Sequence, residues 1–238
     1  MTSNDVSLHD EPHRDVGGGT ARAAVFGIND GLVSNVSLIL GMAGASASPG
    51  VVRLAGLAGL LAGAFSMAAG EYVSMKAQEE LLARELERER RELRDNPERE
   101  TEELARVYQR RGVSESISRR VAEAIMSEPE TALEVHAREE LGIDPDELGS
   151  PLGAAGSSFV AFSVGAVVPL VPWLLTGGAA ATVMSVVFGL LAAVAVGAAL
   201  ARFTDRSALR SIARQVGVAS TAAAVTYAVG SVIGVGAA

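Results

Sequence analysis

The chain has 238 residues, of which 49% are hydrophobic and only 4% aromatic, and it contains 26 glycines and no cysteine. The lack of cysteine excludes a disulfide framework and a thiolate metal site. The formal net charge is −8, and the acidic excess lies between residues 76 and 147, with apolar sequence on both sides.

The N-terminal residues 1–20 are polar and lack the apolar core of a signal peptide, so we expect a disordered cytosolic tail. Five apolar stretches follow, each long enough to cross about 30 Å of hydrocarbon as a helix. The predicted spans are Ala23–Ala45, Val51–Met75, Gly153–Leu175, Ala179–Ala201 and Ile212–Val235.

The second and third spans are separated by a charged insert, residues 76–150, with helical periodicity. Residues 76–95 contain no glycine or proline, so the second span is predicted to continue as one helix until Asn96-Pro97. Shorter helices are expected over 99–111, over about 115–126, and between Pro129 and Gly142. The predicted fold is all-α: a polytopic membrane protein with five transmembrane helices and a cytosolic helical insert, divided into residues 1–20, 21–75, 76–150 and 151–238.

Basic residues indicate the orientation of these spans. Arg14 and Arg22 precede the first span, Lys76 begins the insert, and four arginines lie between the fourth and fifth spans. By the positive-inside rule, the N-terminus, the insert and the loop before the fifth span are cytosolic, and the C-terminus is outside.

The first span contains a carboxylate, Asp30, which costs at least a few kcal/mol in hydrocarbon and is therefore a candidate functional residue. Met67 lies at a similar depth in the antiparallel second span, and Glu71 follows it by one helical turn. A carboxylate beside a thioether suits a transition metal such as Fe²⁺. Alternatively, Asp30 is a buried hydrogen-bonding group, Met67 fills space in the packing, and Glu71 extends to the membrane interface.

The insert has many glutamates at helical spacing, and glutamates on facing helices can hold divalent metal together. Exposed glutamates on such helices are also commonly just solvated or paired with arginine. A lone histidine in the fourth insert helix, His136, is either structural or an additional ligand. The candidate ligands in the insert are Glu89, Glu92, Glu100, Glu103, His136, Glu139 and Glu140.

Together these features resemble the vacuolar iron transporter family. The resemblance rests on the Glu-rich insert and on three segments: GINDGLVSNV at 27–36, GAFSMAAGEYVS at 63–74 and AFSVGAVVPL at 161–170. It implies five spans per subunit, a dimer with the ion path between subunits, and export of Fe²⁺ or Mn²⁺ in exchange for protons.

By the same resemblance, Asp30 and Met67 match the residues that bind the translocating ion. The matching insert glutamates are Glu89, Glu92, Glu100, Glu103 and Glu140. The chain departs from the family at His136-Ala137, where a Met-Met pair is common, and an imidazole there could still ligate metal.

The sequence therefore predicts a dimeric, proton-coupled exporter of Fe²⁺, and of Mn²⁺ as a second substrate, in a bacterial plasma membrane. We expect no enzymatic activity, no prosthetic group and no nucleic-acid partner. One rival is a membrane-anchored metal sensor or storage module without flux. Another is a di-iron carboxylate oxidase, which would need a Glu-x-x-His pair on each of two helices, whereas the insert has a single histidine.

Overall fold

A computed structural model describes residues 19–142, 149–204 and 206–236. In these ranges the chain is helical and contains no strand. The predicted tail, residues 1–20, lies outside the described residues except for its last two, which begin the first helix. The helices are α1 (Gly19–Gly44), α2 (Pro49–Asp95), α3 (Pro97–Arg110), α4 (Glu115–Met126), α5 (Pro129–His136), α6 (Pro151–Leu175), α7 (Gly178–Thr204) and α8 (Ala208–Gly236), with a π-helical turn at Ala137–Leu141 after α5.

Five of these helices are long and apolar enough to cross a membrane, and they correspond to the five predicted spans. The prediction of an all-α fold with five transmembrane helices is confirmed. The helical segments that contain these apolar stretches are Ala24–Gly44, Pro49–Asp95, Pro151–Leu175, Gly178–Arg202 and Ala208–Gly234.

The insert helices also begin and end close to the predicted residues. The second span continues without a break to Asp95, and Pro97 occupies the first turn of α3, where its missing N–H is not needed. Gly112 follows α3 with a φ of 91°, a conformation that glycine adopts without strain. The π-helical turn was not predicted, because nothing in a single sequence distinguishes it from the end of an α-helix.

The chain divides into two compact units, which we describe separately. Among the described residues, the first unit consists of 19–64, 160–204 and 206–236, and the second unit consists of 65–142 and 149–159.

In the first unit, α1 packs against α6 and α8 through glycines. A Cβ atom on Gly31 would collide with the backbone of Phe162, and one on Gly165 would collide with the backbone of Ile28. Gly230 of α8 is equally close to the backbone of Gly41. Small residues permit this close approach, which is a common way to associate helices in lipid, where burial of apolar surface gives little driving force.

Buried polar side chains also link α6 to α1 and to α7. The Asn35 amide donates to the carbonyl of Ala166 at 2.6 Å, and the Ser185 hydroxyl donates to the carbonyl of Pro169 at 2.7 Å. Such bonds satisfy polar groups that have no water available in the hydrocarbon region.

The second unit contains its own small core. Leu104 and Ala105 of α3 pack against Ala122 of α4, and Val135 of α5 covers them. Elsewhere in the unit, Phe65 and Phe159 meet edge to face with their ring centroids 5.1 Å apart. The short insert helices are therefore held by packing, since isolated helices of this length are marginal in water.

We predict that Gly31→Ala destabilises the protein, because the new Cβ has no space against the Phe162 backbone. Overpacking of this kind typically lowers the free energy of unfolding by about 1–3 kcal/mol. Thermal unfolding of the detergent-solubilised protein measures the change. Gly217→Ala is the matched control, since a Cβ there meets nothing within 4 Å, and it is expected to be neutral or slightly stabilising. Equal melting temperatures for the two variants would contradict the packing described here.

Candidate metal centre

Three buried, metal-compatible side chains from three helices meet in the second unit. They are Glu89 of α2, Glu100 of α3 and His136 of α5, and they are 6%, 1% and 0% exposed. Acidic side chains are rarely fully buried unless they are paired or bind a cation, so this burial needs an explanation.

The local sequence accounts for the position of Glu100. In α3 the buried residues Glu100, Leu104 and Val107 follow one another at spacings of four and three, which places them on one face. The apolar face that packs the insert therefore carries a carboxylate at its N-terminal end. The positive end of the helix dipole favours a negative charge there.

The candidate ligands form two overlapping triads. The ligand atoms of Glu89, Glu100 and His136 all lie within 4.8 Å of one another, and so do those of Glu100, Glu103 and Glu140. We call these the His136 triad and the all-glutamate triad. Glu100 belongs to both, while Glu103 is half-buried and Glu140 is exposed.

Several buried atoms in the His136 triad have no hydrogen-bond partner. They are Oε1 of Glu89, Oε1 of Glu100 and both ring nitrogens of His136. His136 Nδ1 lies 3.2 Å from Glu89 Oε1 and 3.4 Å from Glu140 Oε1, but neither approach has the geometry of a hydrogen bond. A buried polar atom without a partner typically costs about 1–3 kcal/mol. A divalent cation would satisfy these atoms together, so the residues present fit a metal ion.

The electrostatics of the cluster also favour a bound cation. Burial, with a smaller contribution from the charges of Glu103 and Glu89, raises the pKa of Glu100 to about 7, and the charge of His136 opposes this shift. Burial also raises the pKa of Glu140. Burial lowers the pKa of His136, but the neighbouring carboxylates outweigh this effect and the net shift is upward. The cluster thus holds more negative charge than its surroundings compensate, and a cation would relieve the excess.

Two adjacent glutamates in the π-helical turn have different partners. Glu140 extends toward His136, whereas Glu139 forms a two-pronged ion pair with Arg111, one of whose bonds is 2.7 Å long. Gly142 ends the turn in the left-handed region with a φ of 65°. π-helical insertions frequently occur at functional sites, because they redirect side chains that a regular helix would keep in register.

Two of the predicted ligands, Glu92 and Glu139, lie in neither triad. Glu92 accepts a hydrogen bond from Arg88 at 3.1 Å, and Glu139 pairs with Arg111 as described. The structure therefore brings together five of the seven candidate ligands in the insert.

The candidate residues in the membrane-spanning helices lie in different units. Asp30 is half-buried in the first unit, and its Oδ1 accepts a hydrogen bond from Ser34 at 3.1 Å. Met67 and Glu71 are half-buried on α2 in the second unit. The pairing of Asp30 with Met67 stays a prediction.

One polar contact next to Asp30 was not anticipated. The amide of Gln215, buried on α8, donates to the side chain of Asn29 on α1. The available signal was a glutamine inside the fifth predicted span, where an uncharged polar side chain is expected to bond to a neighbouring helix.

Comparison with known proteins identifies the family. The sequence profile of the VIT family matches residues 21–231. The chain belongs to the VIT family.

Named relatives of this VIT-family protein are similar over most of its length. Vacuolar iron transporter 1 of Arabidopsis thaliana is 33% identical over 226 residues, covering 94% of this chain and 90% of the relative. Vacuolar iron transporter 2 of Oryza sativa subsp. japonica is 34% identical over 197 residues, covering 82% and 80%. The vacuolar iron transporter of Acanthamoeba castellanii is 42% identical over 166 residues, covering 69% and 60%. These are names of transporters rather than of enzymes.

We predict that metal binding by this VIT-family protein weakens on acidification. A proton and a metal compete for Glu100, so below its pKa of about 7 binding must displace the proton. For the displacement of this one proton, the apparent Mn²⁺ affinity is expected to fall about fifteenfold from pH 7 to pH 5.5, approaching tenfold per pH unit at the acidic end. Titration with a fluorescent metal chelator as competitor measures it.

The matched control for this experiment is Glu92→Gln, which removes a carboxylate outside both triads. It is expected to keep the same pH profile. An affinity that stays constant over this pH range would contradict the assignment of Glu100 as a ligand.

Proposed function

We propose that this protein exports Fe²⁺ from the cytosol in exchange for protons, with Mn²⁺ as a second substrate. The buried cluster around Glu100 carries the proposal, because its unpartnered carboxylate and imidazole atoms fit a divalent cation. The relatives named as vacuolar iron transporters support iron as the substrate. The five membrane-spanning helices support transport across a bilayer.

In this proposal the insert collects cytosolic metal. The net negative charge of the insert attracts cations, and the two triads then bind them. Glu92 and Glu139 pair with arginines and lie outside both triads, so we assign the first capture to the residues of the triads. Those residues are Glu89, Glu100, Glu103, His136 and Glu140. Among these, Glu103 would have to release Arg99, which lies 3.7 Å from its carboxylate.

The ion then passes to the membrane-spanning helices, where the sequence predicts Asp30 and Met67 as its ligands, with Glu71 as an additional ligand. Asp30 supports this role because it is an ionisable residue in a membrane-spanning helix, where such residues commonly mark ion pathways. The carboxylate and the thioether together suit Fe²⁺ better than Mg²⁺ or Ca²⁺.

The carboxylates that bind the metal also account for the proposed exchange with protons. Metal binding requires them to be ionised, whereas burial without metal favours their protonated forms. A site that alternates between binding metal and binding protons can couple the two fluxes, and protons returning down their gradient would drive metal out.

We further propose a homodimer in a bacterial plasma membrane, with the N-terminus and the insert in the cytosol and the C-terminus outside. Two exposed arginines, Arg206 in the loop between α7 and α8 and Arg210 in the first turn of α8, support this orientation by the positive-inside rule.

A membrane-anchored metal sensor or storage module is the second candidate. It is favoured by the location of both triads within one compact unit, residues 65–159, so that metal could bind there without any flux. This candidate leaves Asp30 without a role.

Transport by the purified protein in liposomes separates the two candidates. We expect Fe²⁺ uptake by the wild type and at least about a tenfold loss in Asp30→Asn, since a neutral amide cannot replace the carboxylate at the ion site. The matched control is Asp95→Asn, at the exposed end of α2, which is expected to transport normally. Metal binding without any flux in the wild type would favour the sensor.

Proton coupling has its own test. With a pH-sensitive dye trapped in the liposomes, we expect metal uptake to be accompanied by proton movement in the opposite direction. An imposed pH gradient with protons in excess on the destination side should accelerate uptake severalfold. Uptake that is indifferent to the gradient and moves no protons would exclude the exchange mechanism while leaving metal transport intact.

A further inference from the structure

The two triads of the insert differ in the chemistry that they offer a metal. The His136 triad consists of two carboxylates and an imidazole, and all three side chains are buried. The all-glutamate triad has only oxygen ligands, and two of its members reach solvent. Two adjacent sites with different donors and different hydration are expected to select different ions.

The position of His136 indicates that its ring takes part in binding. It is fully buried at the end of α5, and neither ring nitrogen has a hydrogen-bond partner. Nδ1 lies 3.2 Å from Glu89 Oε1, which is close to the spacing of about 3–3.5 Å between ligand atoms around an ion with bonds near 2.1 Å. A modest adjustment of the ring would therefore complete a metal site with Glu89 and Glu100.

The donor set determines which ions such a site prefers. Imidazole nitrogen favours Fe²⁺, Ni²⁺, Cu²⁺ and Zn²⁺, whereas sites made only of carboxylates suit Mn²⁺, Mg²⁺ and Ca²⁺. Burial of the His136 triad also disfavours Mg²⁺, because this ion loses its water ligands reluctantly. Two carboxylates with a neutral imidazole also carry a charge of −2, which balances one divalent ion.

We infer that His136 is the residue that sets metal selectivity in the insert. The His136 triad retains nitrogen-preferring ions such as Fe²⁺, Co²⁺ and Zn²⁺ against Mn²⁺ and Mg²⁺. The all-glutamate triad binds divalent ions with little discrimination and shares Glu100 with its neighbour. This inference rests on the proposed metal-collecting role of the insert and adds a ranking of the ions that it holds.

The test measures metal binding by the full chain in detergent, with any affinity tag removed. His9→Gln and His13→Gln form the background, so that His136 is the one remaining histidine of the three. Competition with a fluorescent chelator gives the affinities for Zn²⁺, Co²⁺ and Mn²⁺. In this background, His136→Gln is expected to weaken Zn²⁺ and Co²⁺ binding by about tenfold or more and Mn²⁺ binding by less than about threefold.

Glu103→Gln is the matched variant, because it alters the all-glutamate triad and leaves the His136 triad complete. It is expected to weaken Mn²⁺ binding at least as much as Zn²⁺ binding. Equal losses for all three ions in His136→Gln would overturn the inference and leave His136 as the ion-pair partner of Glu89.

X-ray absorption spectroscopy of the Zn²⁺-loaded background protein gives a readout that does not depend on the folding of any variant at position 136. Scattering from an imidazole ring around the zinc is expected, and its absence would overturn the inference. Glu100→Gln separates this outcome from failure of the proposed function. If Glu100→Gln abolishes binding of every ion while His136→Gln changes nothing, the collecting role stands and the selectivity role fails; if Glu100→Gln binds all ions normally, the collecting role itself fails.

Discussion

The burial of negative charge away from water is the physical constraint on which the rest of this protein depends. Glu100 lies in the packed face of α3, almost without solvent contact, and its pKa rises to about 7. A carboxylate in that position is unfavourable unless a proton or a cation accompanies it. The fold therefore creates a site whose occupant is defined by charge, and the proposed exchange of metal for protons is a direct use of that property.

The two units differ in how their helices pack and in which partners their buried polar side chains have. In the first unit, glycines such as Gly31 and Gly165 bring helix backbones into contact, and buried amides such as Asn35 bond across the helix interfaces. In the second unit, apolar packing around Leu104 holds the helices, and the carboxylates near it are left without partners. Buried atoms without a partner occur in both units, but those of the second unit include carboxylate and imidazole atoms that lie close enough together to share a cation.

Arginine pairing divides the glutamates of the insert into two sets. Glu92 and Glu139 are neutralised by Arg88 and Arg111, so they contribute little uncompensated charge. Glu100 has no such partner among the described residues, and its nearest charged neighbours include further carboxylates. The number of acidic residues is therefore a poor guide to the size of the metal site. What matters is which carboxylates the packing brings together, since Glu103 belongs to a triad although Arg99 lies 3.7 Å from it.

The sequence by itself determined the five spans, the unbroken continuation of α2 to Asp95, and the breaks at Pro97 and Gly112, because hydropathy, helical periodicity and the backbone limits of proline and glycine are local properties. It also indicated Glu89, Glu100 and His136 as candidate metal ligands, through glutamate spacing and a family resemblance. Only the tertiary structure decided that these three meet, that Glu139 pairs with the distant Arg111, and that the chain turns through a π-helix before Gly142. Those outcomes depend on which residues from distant parts of the chain pack together, and a local sequence pattern does not predict such packing.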